Sequence, residues 1–147
     1  MQVFKFGGAS VKDAKGVRNI ATVLETTGPK QKVVIISAMG KTTNKLETII
    51  SLYFSKSKDF ALAISELKND HYEILDELFE DRSYPVYTKT NYFFDEMSIF
   101  FDRNKSPNYD FVYDQVIGFG ELISTSIVSY YLKFVGLDNV WHDCRNL

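Results

Sequence analysis

A lysine near the end of an apolar strand and directly ahead of two glycines, Lys5 in MQVFKFGGAS, is the first residue here whose position asks for a chemical reason. Side chains alternate along a strand, so Lys5 shares a face with Val3, while Gly7 and Gly8 let backbone N–H groups come close to a ligand. A helix beginning shortly after Ser10 would aim its positive end at the same place. Lysine, bare amides and a helix N-terminus together make a phosphate cradle. The four residues KFGG equally fit an edge-strand lysine in solvent followed by an ordinary glycine turn. They do not make a P-loop, since GxxxxGK[ST] occurs nowhere and the lysine precedes the glycines.

A second polar loop, SAMGKTTNKL, follows an apolar run and precedes a helical pattern. Ser37, Thr42, Thr43 and Asn44 offer hydroxyl and amide groups for a small polar substrate, and one of Thr42, Thr43 or Asn44 is expected to cap the next helix. In a third stretch, IGFGELIST, Glu121 sits in an otherwise apolar helical segment. A carboxylate there needs a cationic partner, and the ammonium of a bound amino acid would serve. The GxG beside it is no dinucleotide fingerprint, because the third glycine is replaced by Ile123 and a helix pattern precedes it. His71 and His142 have no second histidine at ligand spacing, so no metal-ligating residues are assigned and both read as structural. Asp143 and Arg145, in HDCR, read as an ion pair fixing a last strand or as part of the site rim. The aromatic run YFFDEMSIFF lacks interleaved basic residues and reads as helix-packing surface, not a nucleic-acid platform.

The elements that position these residues follow from periodicity. QVFKF, residues 2 to 6, is a short strand. An amphipathic helix follows, with Ser10 near its start, Val17, Ile20, Ala21 and Leu24 at helical spacing, and Gly28-Pro29 at its end. KVVIIS is a continuous β-branched run, the pattern of a strand buried on both faces of a parallel sheet, and helix resumes from about Leu46. Strand, helix, strand, helix favours a βαβ crossover with ligands at the carboxyl ends of the strands. A helical hairpin is expected from about Asp59 to Phe79 and from about Asn91 to Arg103. A long helix from about Asp110 to Phe134, interrupted at Gly118 and Gly120, leads to a last strand, NVWHDC. Three strand candidates are few for an α/β domain, which suggests an incomplete one.

The 147 residues allow one domain with a real core, and the formal net charge of -2 gives no general attraction to nucleic acid or an anionic membrane. The single cysteine, Cys144, excludes an internal disulfide framework and suits a reducing cytosol. No run approaches the about 20 apolar residues of a membrane span, and nothing at the start resembles a signal peptide, so a soluble cytoplasmic protein is expected.

Taken together and in order, KFGGAS, VVIISAMGKTTNKL, GFGELIST and WHDCR resemble aspartokinase along the whole chain. The resemblance implies the amino-acid kinase fold, a three-layer α/β/α sandwich of the carbamate kinase-like type, here incomplete and carrying a helical insertion. It also implies transfer of the γ-phosphoryl of ATP to the side-chain carboxylate of L-aspartate with Mg2+, the opening step of the lysine, threonine and methionine pathway. A homo-oligomer is implied for the full-length enzyme. By the same resemblance Lys5 is the catalytic lysine on the phosphates, Gly7, Gly8 and Ser10 complete the phosphate cradle, Ser37 and Thr43 lie near the aspartate, and Glu121 meets its ammonium group.

Such a site matches the chemistry, because an aspartate side chain of pKa about 3.9 is already a nucleophilic carboxylate at neutral pH. The difficulty is repulsion between anions, which lysine, amides and magnesium relieve. Ala9 departs from the family's usual threonine, so a hydroxyl contact is lost there or passed to Ser10 or water. The family's later segments for adenine and ribose, and its regulatory ACT domains, have no counterpart among the 147 residues, which suggests the N-terminal portion of a catalytic domain with little activity alone. Another amino-acid kinase with a different acceptor, or a non-catalytic module binding through its aromatic helices, are the alternatives.

Overall fold

The computed structural model describes residues 1–146. Strand β1 (Gln2–Phe6) pairs in parallel with β2 (Lys32–Ile36), with Lys5 opposite Ile35 and Phe6 opposite Ile36. Between them the chain makes a 3-10 turn over Gly8–Val11 and helix α1 (Ala14–Thr26). The helix begins later than Ser10, because Asp13 caps it: its Oδ1 accepts from the Gly16 N–H at 2.8 Å. Val17, Ile20, Ala21 and Leu24 form its buried stripe, as their spacing requires.

Four more helices follow: α2 (Thr42–Phe54), α3 (Phe60–Leu78), α4 (Pro85–Arg103) and α5 (Tyr109–Phe134). Helix α2 starts four residues ahead of Leu46. Helix α4 starts at Pro85 rather than near Asn91, since proline's fixed φ suits a first helical turn. Helix α5 runs unbroken through Gly118 and Gly120, where helical breaks were expected. Its core stripe, including Val116, Ile123 and Ile127, packs against α2 and α4, and Phe94, Met97, Leu46 and Ile49 complete the centre.

Two further expectations are corrected. Residues 138–143 form no strand; a 3-10 turn at Cys144–Asn146 ends the described chain. The segment is held by side chains instead: Asn139 Nδ2 donates to the carbonyls of Ser129 and Leu137, and Trp141 Nε1 donates to Thr125 Oγ1 at 2.9 Å. Asp143 and Arg145 do pair, but across that turn. Nor is β2 buried on both faces. Phe4, Phe6, Val34 and Ile36 face the helices, whereas Val3, Val33 and Ile35, 62%, 42% and 50% exposed, lie with Lys5 on an uncovered face.

Candidate active site

The parallel ladder ends by knitting two loops together. Ser37 N–H donates to the Phe6 carbonyl at 3.0 Å, extending the pairing one residue past the strands, and Gly40 N–H donates to the Gly8 carbonyl at 3.1 Å. A Cβ on Gly8 would stand 2.8 Å from the Ala38 carbonyl oxygen and 3.2 Å from that of Gly40, distances that only a glycine tolerates. The glycine pair thus lets the first loop lie directly on the second. Gly40 takes a φ of +51° and rests against Lys12. Lys12 and Lys41 are exposed beside this junction, so the loops carry two cations besides Lys5.

Helix α5 meets the same junction from below. A Cβ on Gly120 would stand 3.0 Å from Ala38 Cβ and 3.2 Å from Thr42 Cγ2, so this glycine is kept for close helix–loop approach inside a regular helix. One turn on, the buried Ser124 hydroxyl donates to the Ser37 carbonyl at 2.8 Å and fixes the second loop to the helix. Sequence reading missed Ser124; its signal is a hydroxyl on the apolar face of GELIST.

The start of α2 is fixed from a third side. None of Thr42, Thr43 or Asn44 caps the helix, whose N-cap is Lys41 without a side-chain bond. Thr42 is buried and its hydroxyl turns instead to His71 on α3. His71 Nδ1–H donates to the Leu67 carbonyl at 2.8 Å, which leaves Nε2 to accept from Thr42 Oγ1 at 3.4 Å. Burial depresses the pKa of His71 below the usual imidazole value, so it is held neutral and suited to accept. Lys45 and Asp70 form an ion pair across the same α2–α3 contact. His71 is therefore structural, and what it supports is the start of α2 beside the second loop.

The remaining expected residues fall around this frame. Gly7 and Ser10 are exposed at the turn after β1, where the Ser10 N–H donates to the Gly7 carbonyl at 2.9 Å. Ser37 and Thr43 are half-buried on the second loop and first turn of α2. Glu121 adjoins Gly120, but its side chain is exposed rather than buried, because the apolar face of α5 passes through Leu122 and Ile123. Lys5 leaves the sheet on the uncovered face, opposite the helices. His142 is exposed and takes no part. Among the described residues no three His, Cys, Asp or Glu side chains gather as a metal cage.

The model of the amino acid kinase family matches residues 1–147. A bifunctional aspartokinase/homoserine dehydrogenase 2 of Arabidopsis thaliana is 26% identical over 99% of the chain, and aspartokinase 1 of the same plant 28% identical over 92%. The chain spans 16% and 24% of their respective lengths. Escherichia coli aspartokinase III, solved with lysine and aspartate, superposes with a TM-score of 0.76 at 20% identity, covering 94% of this chain and 30% of that one. The same enzyme solved with aspartate and ADP gives 0.72 at 22% identity, over 90% of this chain and 29% of that one. The chain belongs to the amino acid kinase family, and the relatives it resembles are aspartokinases.

Proposed function

We propose that this chain supplies the phosphate-facing loop and the acceptor-facing loop of an aspartate kinase, which transfers the γ-phosphoryl of ATP to the side-chain carboxylate of L-aspartate. The observation that carries the reading is the closure of two strand-end loops on one another and on α5, at Gly8, Gly40, Gly120 and Ser124. That closure supports a reading in which exposed amides and cations serve the phosphates and the hydroxyls with Glu121 serve the acceptor.

Within it, Lys5 balances charge on the transferred phosphoryl, and Gly7, Gly8 and Ser10 present backbone and hydroxyl donors to the phosphates. Ser37 and Thr43 orient the acceptor, and the exposed Glu121 carboxylate takes its ammonium. The acceptor carboxylate needs no base, so the protein's work is alignment of two anions and screening of their repulsion. Among the described residues no three His, Cys, Asp or Glu side chains gather to hold magnesium by themselves. A homo-oligomeric whole enzyme rests on the family resemblance, and a cytoplasmic setting on the single cysteine, Cys144; of the described helices, none is long and apolar enough to cross a membrane.

The chain spans 30% of Escherichia coli aspartokinase III as superposed above, and its sheet has one bare face. Both support placing adenine and ribose on segments outside these residues, and little or no turnover is expected of the chain alone. Titration calorimetry with aspartate, glutamate and magnesium-ATP, on the chain and its Lys5→Ala variant, tests the reading. Loss of one charge-assisted contact should weaken nucleotide binding by about tenfold or more in the variant and leave aspartate binding unchanged. Equal binding of glutamate would favour another amino-acid kinase. Robust formation of aspartyl phosphate by the chain alone would overturn the division of the site.

A further inference from the structure

Away from the loop junction, the C-terminal half of α5 and the middle of α4 leave a cleft of about 330 Å³, closed on one side by residues 139–141. Its α5 wall carries Ser126, Tyr130 and Lys133, at i, i+4 and i+7, so one helical stripe lines the same space with a serine, a tyrosine and a lysine. Lys89 enters from α4 and Trp141 from the closing segment.

The two lysines bring two positive charges to this space. Neither forms an ion pair with a carboxylate among the described residues. Lys89 is held by rings instead: its Nζ lies 4.8 Å from the ring centre of Phe93, 5.1 Å from that of Trp141 and 5.2 Å from that of Tyr92. Aromatic faces fix an ammonium without using its strong hydrogen-bonding capacity, so its donors stay available. Asp143 is the carboxylate whose field reaches Lys89, but Arg145 already grips it through Nε at 3.0 Å and Nη2 at 2.7 Å.

Ser126 points the same way. The residue is 1% exposed and its Oγ has no hydrogen-bond partner. The neighbouring hydroxyls are all used: Ser124 on the Ser37 carbonyl, Thr125 on the Glu121 carbonyl, Ser129 on Asn139 Oδ1. A buried hydroxyl left alone costs about 1–3 kcal/mol, and an acceptor brought into the cleft would relieve it. The pole of α5 opposes an anion here, with about half a negative charge, but the last-turn carbonyls of Tyr131, Leu132 and Lys133 are occupied by the N–H groups of Val135, Leu137 and Gly136. Two ammonium charges outweigh what remains.

We infer that the cleft between α4, α5 and Trp141 is a second, separate anion site, one that takes a compact phosphate-class oxyanion on Lys89, Lys133 and Ser126. Its source is either free phosphate or the phosphate of a small phosphorylated metabolite, for which the Trp141 ring offers a flat wall. The site is independent of the kinase reading, since it shares no residue with the loop junction.

Trp141 is the chain's single tryptophan, so its fluorescence reports on the cleft directly. Titration of the full chain with inorganic phosphate at constant ionic strength, up to roughly 10 mM, should give a saturable change. Lys89→Met and Lys133→Met should each weaken it about tenfold or more, and Ser126→Ala by a few-fold, with thermal midpoints checked by circular dichroism. Lys5→Ala should leave the response intact. A parallel titration with AMP distinguishes the sources: tighter binding than phosphate assigns a phosphorylated metabolite with a flat ring, and equal or weaker binding assigns phosphate itself. Absence of a saturable response, an undiminished response in the Lys89→Met, Lys133→Met double variant, or loss of the response in Lys5→Ala would each overturn the proposal.

Discussion

The two faces of the sheet are both largely apolar and meet opposite surroundings. Phe4, Phe6, Val34 and Ile36 are covered by helices, while Val3, Lys5, Val33 and Ile35 are bare. In β2 the contrast is sharpest, because Ile35 and Ile36 are chemically identical neighbours at 50% and 8% exposure. Hydrophobicity alone therefore does not decide burial in a strand; what packs on each face does. The bare face also holds the lysine expected to face phosphate. The bare apolar surface and the side chain proposed to meet an anion lie together.

The difference predicts its own largest effect. Ile36→Ala should destabilise the chain by about 3 kcal/mol, since it removes packed methyl groups and leaves a cavity, whereas Ile35→Ala should cost about 1 kcal/mol or less. Urea unfolding of the two variants measures the gap directly. Equal losses would mean that the second face is buried in solution. Next in size is the seam where both faces end. Gly8→Ala drives a methyl to 2.8 Å from the backbone carbonyl of Ala38, so the two loops must part, at about 1–3 kcal/mol by the usual cost of overpacking. Thermal unfolding should show the loss, and Gly7→Ala, with nothing within 4 Å of the added carbon, should show much less.

Much of this arrangement was legible in the residues. The period-2 strand at 2–6, the stripe of α1, the helical middle and the positions of the two loops all follow from local pattern. What failed did so for tertiary reasons. KVVIIS reads as doubly buried because a β-branched run carries no mark of which neighbour will cover it. NVWHDC has strand composition, yet Asn139 and Trp141 spend their donors on α5, so the segment follows the helix instead of the sheet. Gly120 breaks a helix by propensity but not where Ala38 and Thr42 press on it. Thr42 reads as a cap, and only the fold brings His71 to it from 29 positions away. Glu121 was expected inside because its neighbours are apolar, although one helical position turns a side chain by about 100°, enough to leave the core.

A smaller effect comes from the helix-facing side. His71 is neutral because burial depresses its pKa below 6.5, with Lys45 adding to the depression and Asp70 and the Leu67 carbonyl opposing it. As pH falls through the unfolded-state value of about 6.5, the unfolded chain takes the proton first, so stability is full above that pH and declines below it. The slope should approach about 1.4 kcal/mol per pH unit between roughly pH 6.5 and the lower folded value, and disappear in His71→Leu even if that variant is less stable overall. Urea midpoints at pH 7.5, 6.5 and 5.5 check the sign; a flat profile in the parent chain would place the Thr42–His71 contact in water.

The smallest change in stability is expected where the bare face is made polar. Val33→Thr with Ile35→Thr keeps β-branching, and so strand preference, while removing apolar surface that no helix covers, so stability should move by no more than about 0.5 kcal/mol. Solution behaviour should move more. An uncovered apolar sheet face favours association with another copy, and the double variant should sediment as a smaller species at equal concentration. A large loss of stability together with that change would show that copies already bury the face as a condition of folding. Unchanged sedimentation with unchanged stability would show that the bare face does not drive association, which the charge that Lys5 projects among these side chains would explain.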